Sequence, residues 1–317
     1  MKAALLIGNG LNRCYEDNDS QISWSSLLQK IAKDDNVPFN DSNSFPLEYE
    51  CLVNSICEKR NKSGKPLHFD AVLIETKTAI AEQVEAQFPP LNSIHHRFMN
   101  LPIDEIMTTN YDYVLERTFS PNISLQSIKA SRVVDKNNRA ETKYSLKRKL
   151  ALSQKIFHHI HGEANDPDSL CLGYGHYADS LTKIRDYVKG KVRVSNGSIS
   201  TFSKNSAEQS LAAKRWCDLF FTHDVHIVGL TLDVCEIDLW WLLTYRAQLF
   251  HSNSGIKNEI TLYSTKDQSS NEYAMQKALF ERLHVKVVSV PPKKDASGKP
   301  DYLSAYDSIC KQIERSL

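Results

Sequence analysis

The sequence predicts an α/β fold built around a doubly wound, mostly parallel sheet. Three observations carry that expectation. Short apolar runs recur along the chain, and segments of helical apolar spacing separate them, as in strand–helix–strand units. The first run, residues 3–7, passes straight into the turn Gly8-Asn9-Gly10, the look of a buried parallel strand. A length of 317 residues with 41% hydrophobic content suffices for one large α/β domain with a sizeable core.

After that strand, three segments read as helices. Trp24 to Ala32 spaces Trp24, Leu27, Leu28 and Ile31 along one face. Phe45 to Lys59 does the same with Leu47, Tyr49, Leu52 and Ile56. Phe69 to Phe88 carries Val72, Leu73, Ile80 and Val84 with no internal Gly or Pro. A fourth, short helix is expected from Asn92. No convincing strand interrupts them, so roughly residues 24–100 read as a helical insertion, or small subdomain, within a single domain of residues 1–317.

Ile103 to Thr109 is the next expected strand, and Asn122 to Ile128 another. Val133 to Lys149 is polar and basic, with Lys143, Lys147, Arg148 and Lys149 close together, and reads as a solvated face. Lys155 to His161 alternates like a strand. A helix follows over Tyr177 to Lys189, then a hairpin or ordered loop over Lys191 to Thr201 around Asn196-Gly197. Ala207 to Phe221 reads as a helix and Val225 to Leu230 as a strand. Glu236 to Phe250 is apolar nearly all round, so it is expected deep in the fold or against a partner. Strand, helix, strand and helix close the chain at Glu259–Ser264, Ala274–Leu283, Val285–Val290 and Tyr302–Ile313, with a linker-like loop over Pro291–Pro300.

Bulk charge gives no argument for nucleic acid or an acidic membrane, since Lys plus Arg is 39 against 38 for Asp plus Glu. Uncharged stretches are too short to span a bilayer. Lys2 to Ile7 is too short for the apolar part of a signal peptide, so a cytoplasmic location is expected. The seven cysteines (14, 51, 57, 171, 217, 235 and 310) never form Cys-x-x-Cys. That pattern argues against a disulfide framework and a Cys-rich zinc module, and no bound metal is expected.

Four short motifs carry chemistry. Gly8-Asn9-Gly10-Leu11-Asn12 follows the first strand, where a glycine turn lets backbone approach a pyrophosphate; Arg13 breaks the full Gly-x-Gly-x-x-Gly, and tight-turn duty alone is the competing reading. Thr108-Thr109-Asn110-Tyr111-Asp112 ends the second motif-bearing strand, where open α/β sheets bind ligands, although Asn and Asp also cap helices. His158-His159-Ile160-His161-Gly162 holds three histidines, but strand alternation separates neighbouring side chains and no Cys or carboxylate spacing completes a metal site. Gly229-Leu230-Thr231-Leu232-Asp233 ends a fourth strand. Asp233 and the later Asp238 could each cap the following helix.

In this order the motifs resemble the sirtuin-like family of NAD-consuming proteins, especially its branch in prokaryotic anti-phage systems (Thoeris, abortive-infection and HerA-associated sirtuin-like proteins). The resemblance spans roughly residues 1 to 265 and implies a Rossmann-like fold. It also implies NAD as substrate, with Asn110 ordering the ribose or attacking water and His161, which immediately precedes Gly162, as the acid–base residue. His159 is the fallback and His158 a packing residue. Gly8, Asn9, Gly10, Asn12, Thr109, Asp112, Gly229, Thr231, Asp233, Tyr263 and Ser264 are implied as dinucleotide contacts, Asp112 on the nicotinamide amide. Ser23-Trp24 and Tyr177 match elements near the site. Thr109 stands where deacetylases carry Gln. The implied activity is an NAD glycohydrolase depleting cellular NAD after infection; a protein deacylase and a non-catalytic NAD or ADP-ribose sensor are the alternatives. Implied partners are further copies of the chain and a HerA-like ATPase, with no membrane or direct nucleic-acid binding.

Overall fold

The computed structural model describes residues 2–14, 23–64, 68–87, 90–123, 127–128, 132–133, 144–189, 215–251, 256–294 and 298–317. Strand β1 (Ala3–Ile7) is the centre of the molecule. It pairs in parallel with β2 (Glu105–Thr108) on one side and β6 (Asp224–Val228) on the other. β5 (Lys155–His159) extends the β2 side in parallel, and β4 (Lys149–Leu152) and β3 (Arg132–Val133) continue it antiparallel. β7 (Ile260–Ser264) and β8 (Val285–Ser289) extend the other side in parallel. The order β3-β4-β5-β2-β1-β6-β7-β8 makes a mostly parallel, Rossmann-like sheet. The chain leaves β1 for β2 on one flank and reaches β6 on the other, so the topological switch point lies at the carboxyl end of β1.

Continuous apolar strands follow from burial on both faces. Ala4 and Leu6 enter one core while Leu5 and Ile7 enter the opposite one, as period-two alternation requires. The first core is covered by α6 (Tyr174–Val188), α7 (Leu219–Thr222), α8 (Ile237–His251) and α9 (Asn271–Glu281). The second is covered by α4 (Ser93–Met99), α5 (Val114–Arg117) and α10 (Tyr302–Ser316). Helices on two faces make the sheet doubly wound, as expected.

Helices α1 (Trp24–Asp34), α2 (Phe45–Lys62) and α3 (Phe69–Gln87) build a third apolar cluster of their own, closed by Tyr111, Ala164, Leu170 and Leu172. The fourth helix of the stretch between β1 and β2 packs differently: Ile94, Phe98 and Met99 of α4 lie in the sheet core. In α8 the apolar circumference is shared among neighbours. Leu239, Leu242 and Leu243 are buried, while half-buried Trp240 stacks on Phe280 and Trp241 on Tyr245.

Two expectations need correction. Residues 122 and 123 are not extended, and 127–128 are helical; a short apolar run cannot distinguish a strand from a buried helical turn, and Ile128 satisfies the sheet core in that form. The basic segment is not simply a solvated face either. Arg148 is buried, its guanidinium bonded to Glu163 at 2.5 Å and Asp166 at 2.8 Å. The linker-like 291–300 stretch contains the small antiparallel pair β9 (Lys293–Lys294) and β10 (Pro300–Asp301). The hairpin expected at 191–201, and residues 207–214 of the helix expected from Ala207, lie outside the described residues.

Candidate active site

A cavity of about 640 Å³ opens at the carboxyl ends of β1, β2, β6 and β7, the switch-point crevice such a sheet provides. Asn9, Gly10, Thr109, His161, Gly229, Thr231, Asp233, Tyr263 and Ser264 all line it, so nine of the residues expected from sequence converge there. Gly8, Asn12, Asn110 and Asp112 do not line it, though each lies within three residues in sequence of one that does.

The two glycine turns are locked to each other. The Gly8 N–H donates to the Val228 carbonyl at 2.9 Å and the Gly10 N–H to the Gly229 carbonyl at 2.8 Å. Those two donors are therefore committed to the β6 turn. The absence of side chains is what permits the approach: a Cβ on Gly8 would fall 2.5 Å from the Gly229 oxygen, and one on Gly10 would fall 2.4 Å from the Tyr306 hydroxyl. Gly229 itself has φ +65°, a left-handed conformation that glycine adopts without strain.

At the end of β2, the Thr108 hydroxyl donates to the Ile7 carbonyl and accepts the Asn110 N–H at 3.0 Å. This pins the Asn110 backbone. The Asn110 side chain is buried, yet neither its Oδ1 nor its Nδ2 has a hydrogen-bond partner among the described residues. Buried amides are normally satisfied, so both ends of this one are free to take a ligand group or a water. Asp112 is engaged internally: Oδ1 accepts the Val114 N–H two residues on, and Oδ2 accepts from Asn12 Nδ2 at 3.0 Å. Asn12 also donates to Asn9 Oδ1, and its oxygen meets His95 Nε2 at 3.1 Å. Asn12 and Asp112 thus brace the glycine turn against the β2 end. Burial raises the Asp112 pKa.

β5 ends at His159, and the chain turns before Gly162, whose φ is +95°. His161 sits in that turn and lines the cavity. Its Nε2 donates to Asp238 Oδ2 at 3.2 Å, and Ser180 donates to the same oxygen at 3.1 Å. Burial opposes charge on His161, but Asp238 outweighs it and, with Glu236 adding, raises the imidazole pKa. Burial likewise opposes ionisation of Asp238, and His161 with three hydrogen bonds reverses it to a net lowering. Tyr177 packs edge-on against the imidazole, ring centres 5.2 Å apart. An oriented, buried imidazole on a carboxylate is a proton acceptor built into a wall.

The other histidines are spent on structure. His159 Nδ1–H donates to the Asn110 carbonyl at 2.9 Å and Nε2–H to Glu116 at 2.8 Å. Burial disfavours its charge, but Glu116 and the surrounding acceptors raise it to about 9. Both nitrogens donate, so His159 is locked as an imidazolium beneath Asn110. His158 Nε2 bonds Glu105 at 2.8 Å.

The remaining walls differ in character. Trp24 packs on Tyr111 with centroids 4.6 Å apart, and Phe45 lies beyond it. Ser23, the N-cap of α1, accepts the Ser26 N–H. Arg13 and Lys266 bring cations to the β1 and β7 sides. Tyr263 bonds His226 at 3.2 Å, and Ser264 donates to Gln276 at 2.8 Å. Sequence reasoning missed the pairing of His161 with Asp238 and the cavity position of Glu236. The Glu236-Ile-Asp238 spacing at the start of a helix was visible, but an ordinary cap explains it equally well. Among the described residues no group of three or more His, Cys, Asp or Glu could hold a metal ion, and no helix is long and apolar enough to cross a membrane.

The comparisons agree with this geometry. No curated protein matches the chain. Residues 104–215 match the family model described as SIR2-like domain. That segment runs from the start of β2 through Asn110, His161 and α6 to residue 215, about a third of the chain. This part of the chain is similar to a SIR2-like domain, which supports a sirtuin-like family and suggests an NAD-related function.

Proposed function

We propose that this protein is an NAD glycohydrolase that cleaves NAD to nicotinamide and ADP-ribose in the cytoplasm. The observation that carries the proposal is the His161–Asp238 dyad on the wall of the switch-point cavity, with Asn110, next in sequence to the cavity-lining Thr109, holding a buried amide that has no hydrogen-bond partner among the described residues. Asn110 supplies an oxygen and an NH₂ group to the ribose or to a water, at no cost to internal bonds. In the reaction the bond between ribose C1′ and the pyridinium nitrogen breaks, its electron pair neutralises the ring, and nicotinamide leaves. Water then attacks the oxocarbenium carbon, and its proton passes to His161 and on to solvent. Asp238 orients the imidazole and stabilises its protonated form, as a carboxylate does for a catalytic histidine.

The test is NAD consumption by the purified protein, with nicotinamide and ADP-ribose resolved by chromatography. His161→Ala and Asn110→Ala should each lower turnover about a hundred- to ten-thousand-fold, the range for a lost acid–base group. Wild-type-like turnover in a folded His161→Ala protein would remove the assignment, and intact NAD with the wild-type protein would favour a sensing module. On the same reading the chain acts as an anti-phage effector, a homo-oligomer that is weakly active alone and gains activity when a partner such as a HerA-like ATPase, or an infection signal, is supplied. Light scattering on the preparation used for the assay should find an oligomer; a fully active monomer contradicts that regulatory part.

A further inference from the structure

Glu236 is a cavity-lining carboxyl that the proposed chemistry does not use. It ends the turn Asp233-Val-Cys-Glu236 ahead of α8. One oxygen, Oε2, accepts the Asp233 N–H at 2.8 Å, and Asp233 Oδ1 accepts the Cys235 N–H at 3.1 Å. This is a capping arrangement, for which Glu and Gln serve equally. The cap accounts for one carboxylate oxygen. Oε1 takes no part in that cap, and the residue, 8% exposed, lines the cavity. A nearly buried carboxyl with one oxygen unassigned, on the wall of a cavity, is a ligand contact in search of a donor or a cation.

We propose that Glu236 is the anionic contact for the cationic nicotinamide–ribose end of the substrate, and that it makes this cavity select the oxidised, positively charged dinucleotide over the neutral reduced one. The inference rests on the dinucleotide reading above and adds to it the polarity of the cavity. The charged and titratable groups around Glu236 are His161 from the β5 turn, Tyr111 after β2, Tyr177 on α6, Asp233 and Cys235 from its own loop, and Asp238 at the start of α8. Asp238 is already matched by His161, so the carboxyls that the cavity offers to a cation are Glu236 and, at its exposed edge, Asp233. Arg13 and Lys266 line the cavity from the β1 and β7 loops, where an anionic diphosphate would find its counter-charges. A dinucleotide carrying a cationic ring and an anionic diphosphate fits that division in one orientation.

Burial holds the Glu236 carboxyl up to about 7, against His161, which pulls it down. An arriving cation therefore favours its ionised form and expels a proton. When the C1′–N bond breaks, positive charge moves from the ring nitrogen onto the ribose. The carboxylate that met the ring then lies beside the developing oxocarbenium.

The test is calorimetric and needs no turnover. Binding of carba-NAD, which keeps the cationic ring and cannot be cleaved, is compared with binding of NADH between pH 5.5 and 8.5. Wild-type protein should prefer carba-NAD by about tenfold or more above pH 7, with the preference shrinking as the pH falls below it. Glu236→Gln keeps the cap and should erase both the preference and its pH dependence, leaving NADH affinity within about twofold. Binding of both ligands by the wild type with no preference for the cation, or an unchanged preference in Glu236→Gln, overturns the proposal while the dinucleotide reading stands. Binding of neither ligand overturns both.

Discussion

A buried amide with neither end bonded costs about 1–3 kcal/mol, and Asn110 carries that cost; of the groups around it, Glu116 Oε2 and His158 Nδ1 also lack a partner among the described residues. Thr108 fixes its backbone N–H and His159 takes its carbonyl, while its side chain is left unmatched. Such local disagreement with the rest of the structure is what a site made for a ligand looks like. It yields a prediction that separates function from stability. Asn110→Ala should melt no lower than wild type in calorimetry at pH 7, because it deletes an unsatisfied group beside an existing cavity, while NAD turnover collapses. A loss of several degrees would mean the amide has structural partners after all. At this scale the sequence was informative where a motif is contiguous. Asn110 and His161 could be singled out because each sits in a short pattern at a strand end. Asp238 could not be paired with His161, since 77 residues separate them and only the folded sheet brings them together. Arg148 was misjudged for the same reason: the run Lys147-Arg148-Lys149 says nothing about Glu163 and Asp166, which pair with it in the interior.

Among elements, those that read clearly were the ones whose periodicity is enforced by a single environment. β1 is buried on both faces and appears as a plain apolar run, β6 and β7 keep an apolar majority or alternation, and α1 to α3 keep a helical stripe because they share one core. The seating of that helical layer on the sheet was not legible, because it depends on a polar contact. Lys77 of α3 is buried, and its ammonium donates to the carbonyls of Asp168 at 3.2 Å and Leu170 at 2.9 Å. Those residues back the His161 turn: a Cβ on Gly162 would fall 2.2 Å from the Ser169 oxygen, and the Cys171 N–H donates to the His161 carbonyl. Hydrogen bonds from a charged donor contribute about 1.5–3 kcal/mol. Lys77→Met should therefore lower unfolding stability by roughly 2 kcal/mol. It should also speed proteolysis within residues 24–87 and reduce NAD turnover although Lys77 does not line the cavity. Unchanged proteolysis and turnover in a destabilised variant would show that the helical layer and the His161 turn are not coupled.

For the whole molecule, the buried titrating groups set how stability changes with pH, and their signs differ. His95 is held down to about 4, by burial first and then by the charges of Arg117 and His96. Below its ordinary value near 6.5 the unfolded chain binds a proton that the folded one refuses, so stability is lost as the pH falls from there towards 4. Glu236, raised to about 7, acts oppositely: the folded state keeps a proton the unfolded carboxyl releases above its ordinary value, and stability is lost as the pH rises to 7. His159, raised to about 9, is stabilising in full below its ordinary value and loses that contribution as the pH climbs through 9. Each group changes stability by up to about 1.4 kcal/mol per pH unit inside its window. His95 and Glu236 largely cancel in mild acid, whereas Glu236 and His159 act together just above pH 6.5. Thermal unfolding should consequently show a plateau in mild acid and a steady fall in Tm towards pH 9, flattened above pH 7 in His159→Gln, which is less stable in mild acid. A Tm that rises across that range would contradict the assignment of His159 as a buried imidazolium. The same rise in pH frees the proton-accepting form of His161, whose pKa is also raised, and ionises Glu236, so hydrolysis should accelerate where the fold weakens.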